Sequence, residues 1–215
     1  MRISPERKIK IEQVAKARQF DLTIVLENVH DPHNIGAVMR SCDAVGISEI
    51  FVLFTEAHLT QDRIKIGAKT SGGANKWLTI HYFRDRNECF RKLRETYHLV
   101  LAAMPDNGSL NLWSLDFAQP VAFVLGNEKD GVSDESQRLC DGNYFIPMAG
   151  MATSLNISVA CAVTLYEAYR QRFDKGTIRP DARNASLLES YLSIHEASYS
   201  PKTTKSPKDL SIEAE

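Results

Sequence analysis

No stretch of this chain is apolar for long enough to cross a bilayer, and nothing near Met1 has the build of a secretory leader. A membrane-embedded or exported protein is therefore not expected, and a cytoplasmic one is. The 215 residues hold four cysteines, Cys42, Cys89, Cys140 and Cys161, none in a C-x-x-C pair. That spacing argues against zinc and thioredoxin-like sites, and a disulfide framework is not expected in a chain this long. There is no G-x-G-x-x-G after the first apolar strand and no G-x-x-x-x-G-K-[ST], which argues against nicotinamide and P-loop nucleotides. Nor is there a G-x-S-x-G for an acyl-transfer nucleophile. The formal net charge is only −1, so no global charge announces a nucleic acid partner.

What is present is an ordinary globular balance, 43% hydrophobic and 25% charged, enough for one α/β domain with short terminal additions. Charge is local. Residues 1–20 carry Arg2, Arg7, Lys8, Lys10, Lys16 and Arg18 against Glu6 and Glu12. Two readings fit this basic stretch, a phosphate-binding face and a solvated helix face.

Ser4-Pro5 opens a helix expected to run to about Arg18. Short apolar strands follow at Leu22–Glu27, Glu49–Phe54, Leu78–Phe83, His98–Ala103, Val121–Leu125 and Tyr144–Ile146. Between them, helical spacing begins at Asp31-Pro32 and stops at Gly46, and returns over Asp85–Thr96 and Ser133–Cys140. Residues 55–76 read as loops around a short helix. The longest helix follows Pro147–Thr153, with Thr153 or Ser154 as its cap, and is apolar almost all round its circumference, so burial on more than one side is expected. After Phe173 the pattern fades. Residues 174–198 read as an extension, and 199–215 as a disordered tail.

Strands alternating with helices imply a largely parallel sheet flanked by helices on both faces, and such folds bind ligands beyond the carboxyl ends of strands. Three polar loops lie there: His30–Asn34, Gly126–Gly131 and Pro147–Ser154. They offer Asn34 and Arg40, Glu128, and Ser154 and Asn156. Ser154, Asn156 and Ser158 fit either helix capping or a ligand at a helix start. The set can orient, hydrogen-bond and neutralise, but includes no nucleophile and no metal cluster. It suits a group transfer in which a cofactor carries the reactive group, and no metal is expected.

Three segments, NVHDPHNIGAVMRSCDAVGI (28–47), FVLGNEKDGVS (123–133) and IPMAGMATSLNISVACAVTLYEAYRQR (146–172), resemble in family order the motifs of the SPOUT-class RNA 2′-O-ribose methyltransferases, TrmH branch. The resemblance covers roughly residues 1–173, with 21–173 as the methyltransferase domain behind a basic helix in 1–20. It implies an α/β fold ending in a C-terminal trefoil knot, a homodimer paired through the long helix, and S-adenosylmethionine as methyl donor. By motif position it implies a donor pocket at Ala103, Leu125, Gly126, Ile146, Met148 and Leu155. It assigns catalysis to Arg40, Asn34, Glu128, Ser154 and Asn156. Because guanidinium stays protonated, Arg40 is read as orienting the hydroxyl and stabilising its developing charge. RNA contact is expected from Arg7, Lys8, Lys10, Arg18, His33, Arg170 and Arg172. Ala103 and Met104-Pro105 stand where relatives often carry hydroxyl or imidazole groups, so that pocket wall would rest on backbone. The short N-terminal segment matches relatives that methylate a D-loop guanosine in tRNA. Ribosomal RNA, another tRNA position, and a non-catalytic RNA-binding relative are the alternatives.

Overall fold

The computed structural model describes residues 3–106 and 108–199. Seven strands form one sheet: β1 (Leu22–Glu27), β2 (Glu49–Leu53), β3 (Thr79–Phe83), β4 (Leu99–Ala103), β5 (Leu110–Asn111), β6 (Val121–Leu125) and β7 (Gly142–Phe145). Their order is β3-β2-β1-β6-β4-β7-β5, and every pairing is parallel. The apolar runs follow from that arrangement. A central parallel strand is covered on both faces, and all six residues of β1 and all five of β6 are buried.

Helices α1 (Pro5–Lys16), α2 (Pro32–Ala44), α3 (Gln61–Thr70), α4 (Arg86–Arg94), α5 (Asp134–Gln137), α6 (Ile157–Asp174) and α7 (Ala182–Tyr199) complete the fold. One face of the sheet is covered by α2 and α6, through Ile35, Val38, Met39 and Cys42 on the first and Ile157, Cys161 and Leu165 on the second. The other face meets Cys89, Phe90 and Leu93 of α4. Where α2 and α3 cross, Gly36 and Gly67 let the backbones touch; a Cβ on Gly36 would lie 2.5 Å from the Gly67 carbonyl oxygen. Among the described residues no helix is long and apolar enough to cross a membrane.

The sheet, its flanking helices and most element positions agree with the sequence reading. Four local expectations are corrected. The cap of α6 is Asn156, not Thr153 or Ser154: its side chain accepts a hydrogen bond from Ser158 N. Helix α5 is a single turn rather than the full Ser133–Cys140 span. Residues 110–111 form an edge strand that no pattern announced. The extension after Phe173 holds a full helix, α7, which packs on α1 through Ile11, Ala15 and Tyr191. Within this chain α6 is buried along one stripe only, and Val159, Tyr166 and Phe173, seven residues apart, are exposed on the other side. Of the tail expected to be disordered, 200–215 lies outside the described residues.

Candidate functional site

Strands β6, β4 and β7 are neighbours in the sheet, so Leu125, Ala103 and Phe145 end side by side. The loops that leave these ends, with the start of α2 beyond β1, make the site.

The start of α2 is set by Asp31, whose carboxylate accepts from His33 N at 2.8 Å; Pro32 follows at the first helical position. That hydrogen bond, more than any nearby charge, holds the Asp31 carboxyl below the usual range. Asn34 then stands in the first turn and faces two other loops. Its Nδ2 donates to Glu128 Oε1, and its Oδ1 accepts from Asn156 Nδ2 at 3.2 Å. The Asn156 Oδ1 in turn accepts from Ser158 N at 2.8 Å and Ser158 Oγ at 2.6 Å. Glu128, Asn34, Asn156 and Ser158 thus form one hydrogen-bonded chain linking the loop after β6, the start of α2 and the start of α6.

The loop after β6 is folded tightly enough to demand glycine. A Cβ on Gly126 would sit 1.8 Å from the Gly131 carbonyl oxygen. Asn127 closes the turn, its Oδ1 accepting from Lys129 N at 2.9 Å and Asp130 N at 2.8 Å. This leaves Glu128 at an exposed tip. The root of the loop is fixed by Glu27, which is 1% exposed and accepts from Ser133 N at 3.0 Å, Ser133 Oγ at 2.7 Å and Ser136 Oγ at 2.7 Å. Glu27 was missed by the sequence reading, although an acid closing the apolar run LTIVLE was the visible signal.

Between β7 and α6, the backbone of 147–155 makes no hydrogen bond among the described residues, and most of it is exposed. Met148 and Ser154 lie on this loop in the open; Ile146 and Leu155 at its two ends are half-buried, like Ala103 across from them. Leu125 and Gly126 are buried. Free backbone donors and acceptors beside apolar walls suit a purine and a short amino-acid chain, so the residues present fit a nucleoside-like cofactor.

Arg40 stands apart. It is exposed, six residues along α2 from Asn34 and about 9 Å farther along the axis. It has no hydrogen-bond or ion-pair partner among the described residues, and its guanidinium lies beside the Gly72 backbone. Asn34 does not reach Arg40: it commits its amide to Glu128 and Asn156.

Of the expected RNA-contact residues, Arg7, Lys8, Lys10, His33 and Arg170 are exposed. Arg7 lies over the Trp77 ring at 5.8 Å, and Arg170 pairs with Glu167 and Asp174. Arg18 and Arg172 are corrected. Arg172 is 1% exposed and donates to the carbonyl oxygens of Phe117 (2.8 Å), Gln119 (2.7 Å) and Asp21 (3.0 Å) and to Asp21 Oδ1 (2.6 Å). Arg18 is 2% exposed, donates to Ile47 O at 2.7 Å and pairs with Asp43. Both stitch the fold and neither reaches solvent. A further group, His30, Glu56 and His58, also comes together at this edge; the separation of His30 from the other two along the chain hid it.

A polar chain across loops at the carboxyl edge of an all-parallel sheet defines a ligand-binding α/β protein of the doubly covered kind. Residues 21–166 match the SpoU rRNA Methylase family, and the chain belongs to that family. It is 43% identical over 172 residues to a tRNA (guanosine(18)-2′-O)-methyltransferase of Thermus thermophilus, covering 79% of this chain and 85% of that protein. The crystal structure of the Aquifex aeolicus TrmH/SpoU tRNA modifying enzyme superposes with a TM-score of 0.78 at 32% identity, over 89% of this chain and 96% of that one. The SpoU methyltransferase AviRb from Streptomyces viridochromogenes, in complex with the cofactor AdoMet, gives 0.63 at 29% identity over 74% and 62%.

Proposed function

We propose that this chain is an S-adenosylmethionine-dependent RNA methyltransferase that modifies the ribose 2′-hydroxyl of a guanosine in tRNA, at the D-loop, in the cytoplasm. The observation that carries the reading is the Glu128–Asn34–Asn156–Ser158 chain, which ties the three family motifs into one surface in front of neighbouring strand ends. The cofactor, when bound among Ala103, Leu125, Gly126, Ile146, Met148 and Leu155, supplies a methyl group made electrophilic by an adjacent sulfonium.

The work of the chain is to place the hydroxyl. As the sulfur–methyl bond breaks and the oxygen–methyl bond forms, the hydroxyl proton leaves to water, and the demethylated cofactor is the other product. Ser154 and the Asn34–Asn156 pair position the ribose, and Glu128 is held at the tip of its loop to fix Asn34. A guanidinium cannot act as base near neutral pH, so Arg40 serves by donating to the oxygen as negative charge gathers on it. Arg40 does this from the partner copy. Two observations support a homodimer: Arg40 is unpaired among the described residues of its own chain, and the exposed Val159–Tyr166–Phe173 stripe runs the length of α6. The chain leaving β7, which lies between β4 and β5, would carry the trefoil knot of the family.

Labelled methyl transfer to bulk tRNA against ribosomal RNA, followed by mapping of the product, tests the reading. Transfer to the 2′-oxygen of a single tRNA guanosine is the expected result. Transfer only to ribosomal RNA would change the substrate, and none to either would leave an RNA-binding relative.

A further inference from the structure

Beside the polar chain, three side chains from two loops meet without any role in methyl transfer. His30 follows β1, and Glu56 and His58 follow β2. His30 Nε2 lies 3.3 and 3.1 Å from the two Glu56 oxygens, and His58 Nε2 lies 3.5 Å from Oε2. The rings stand edge to face with centroids 5.5 Å apart, and the three ligating atoms all fall within 4.8 Å of one another. A tetrahedron with metal–nitrogen and metal–oxygen bonds near 2.0–2.1 Å has edges of about 3.3–3.4 Å. The two histidine–glutamate spacings already sit close to that figure. Only the histidine–histidine edge has to close, and the rings, 41% and 61% exposed, can rotate to close it.

The loops themselves are held. Asn28, the one non-glycine residue with a positive φ (50°) among the described residues, bridges them. Its Oδ1 accepts from Thr55 N at 2.8 Å and Glu56 N at 3.4 Å, and its Nδ2 donates to Thr55 Oγ1 at 2.8 Å. Arg63 of α3 donates to the His30 carbonyl, and the turn carrying His58 is anchored by fully buried Leu59, whose N–H bonds Glu56 O at 3.1 Å. The three ligands therefore start from fixed roots, which lowers the ordering cost of binding.

We propose that His30, Glu56 and His58 bind one borderline divalent transition ion per chain, Zn²⁺ being the fit for two imidazoles and a carboxylate, with water completing the shell. The ion would fasten the start of α2, next to Asn34, to the loop after β2. It takes no part in the transfer itself.

Co²⁺ titration of the untagged, chelator-treated full chain, followed by visible absorption, reads the site directly. The expected result is one equivalent bound with the bands of low-coordinate Co²⁺, displaced by Zn²⁺. His58→Ala and Glu56→Gln should each weaken binding by more than about tenfold. His81→Ala, which removes the half-buried His81–Glu49 pair elsewhere on the sheet, should leave it unchanged. Circular dichroism without metal shows whether each variant is folded; Glu56→Gln keeps the shape if His58→Ala does not. Absent bands, a thiolate-to-cobalt charge-transfer band, or affinity indifferent to both His58→Ala and Glu56→Gln would each overturn the proposal.

Discussion

A single amide, that of Asn34, is shared between two loops more than 90 residues away from it in opposite senses: one hydrogen goes to Glu128 and the oxygen takes one from Asn156. Removing it leaves a carboxylate and a second amide without their partner. Hydrogen bonds to charged groups are worth about 1.5–3 kcal/mol, so Asn34→Ala should cost about tenfold or more in turnover. Cofactor affinity measured by calorimetry should stay close to wild type, because no donor-pocket residue is touched. Arg40→Ala should be harsher, lowering kcat by about 10²–10³ with little change in KM, since its interaction grows with charge on the oxygen. An Arg40→Ala enzyme with normal turnover would remove Arg40 from the chemistry. At this scale the sequence offers candidate residues but not what they touch. Asn34, Glu128 and Asn156 stand out as polar groups at strand ends, but that they bond one another depends on three crossovers. Arg172 misleads for the same reason. An arginine near a helix end looks like a surface cation, and only the approach of 116–121 turns it inward.

Helices and strands were legible where a periodic pattern outlasts a turn or two, as in β1, α2, β6 and α6. β5 was not, because two residues have no period, and it exists only through pairing with β7. The cap of α6 was misplaced because Thr153, Ser154 and Asn156 are all good caps locally. Asn156 wins by a bond to a distant helix. Arg172 makes a prediction at this scale. Arg172→Met would orphan the carbonyls of Phe117 and Gln119 and leave the Asp21 carboxylate without its partner, at a cost of about 3–5 kcal/mol. Denaturant melts should show that loss, while the salt dependence of tRNA binding by the folded variant stays unchanged. Replacing Arg7, Lys8 and Lys10 together should do the reverse, flattening the salt slope by about one unit for each phosphate no longer neutralised.

Acid sensitivity also belongs to the elements. Asp141 joins β4 to α4: it accepts from Val100 N at 2.7 Å and from Arg94 at 2.7 and 3.1 Å. Burial pushes this carboxyl up, but the Arg94 and Val100 hydrogen bonds outweigh it and hold it below the usual range. A carboxyl lowered by folding stabilises above its ordinary value, near about 3.9, and loses that contribution as pH falls through its folded value. Asp141→Asn should therefore melt earlier than wild type at neutral pH, with the gap narrowing below about pH 4. A gap constant with pH would separate the aspartate from the acid transition.

For the whole molecule, the open stripe on α6 and the idle guanidinium of Arg40 make one prediction together. If Arg40 works in the partner's site, mixing inactive Arg40→Ala with inactive Asn156→Ala chains should restore part of the activity in heterodimers. Heterodimers that form and stay inactive would show that each site is built within one chain. Tyr166→Glu, placed in the middle of the stripe, should lower the sedimenting mass and the activity in step.

The position of β7 has a consequence in time. It lies between β4 and β5, yet it is made after both, so β5 has nothing to pair with and β4 keeps an open edge until residue 145 is available. A chain emerging from the ribosome must hold most of its sheet with that gap unfilled, and unpaired edges are where nascent chains stick to one another. Everything beyond β7, including α6 and the helix that docks on α1, then has to arrive before either terminus is fixed. The half-made protein is the vulnerable one, and slow translation or truncation near residue 145 should feed aggregation rather than a smaller stable domain.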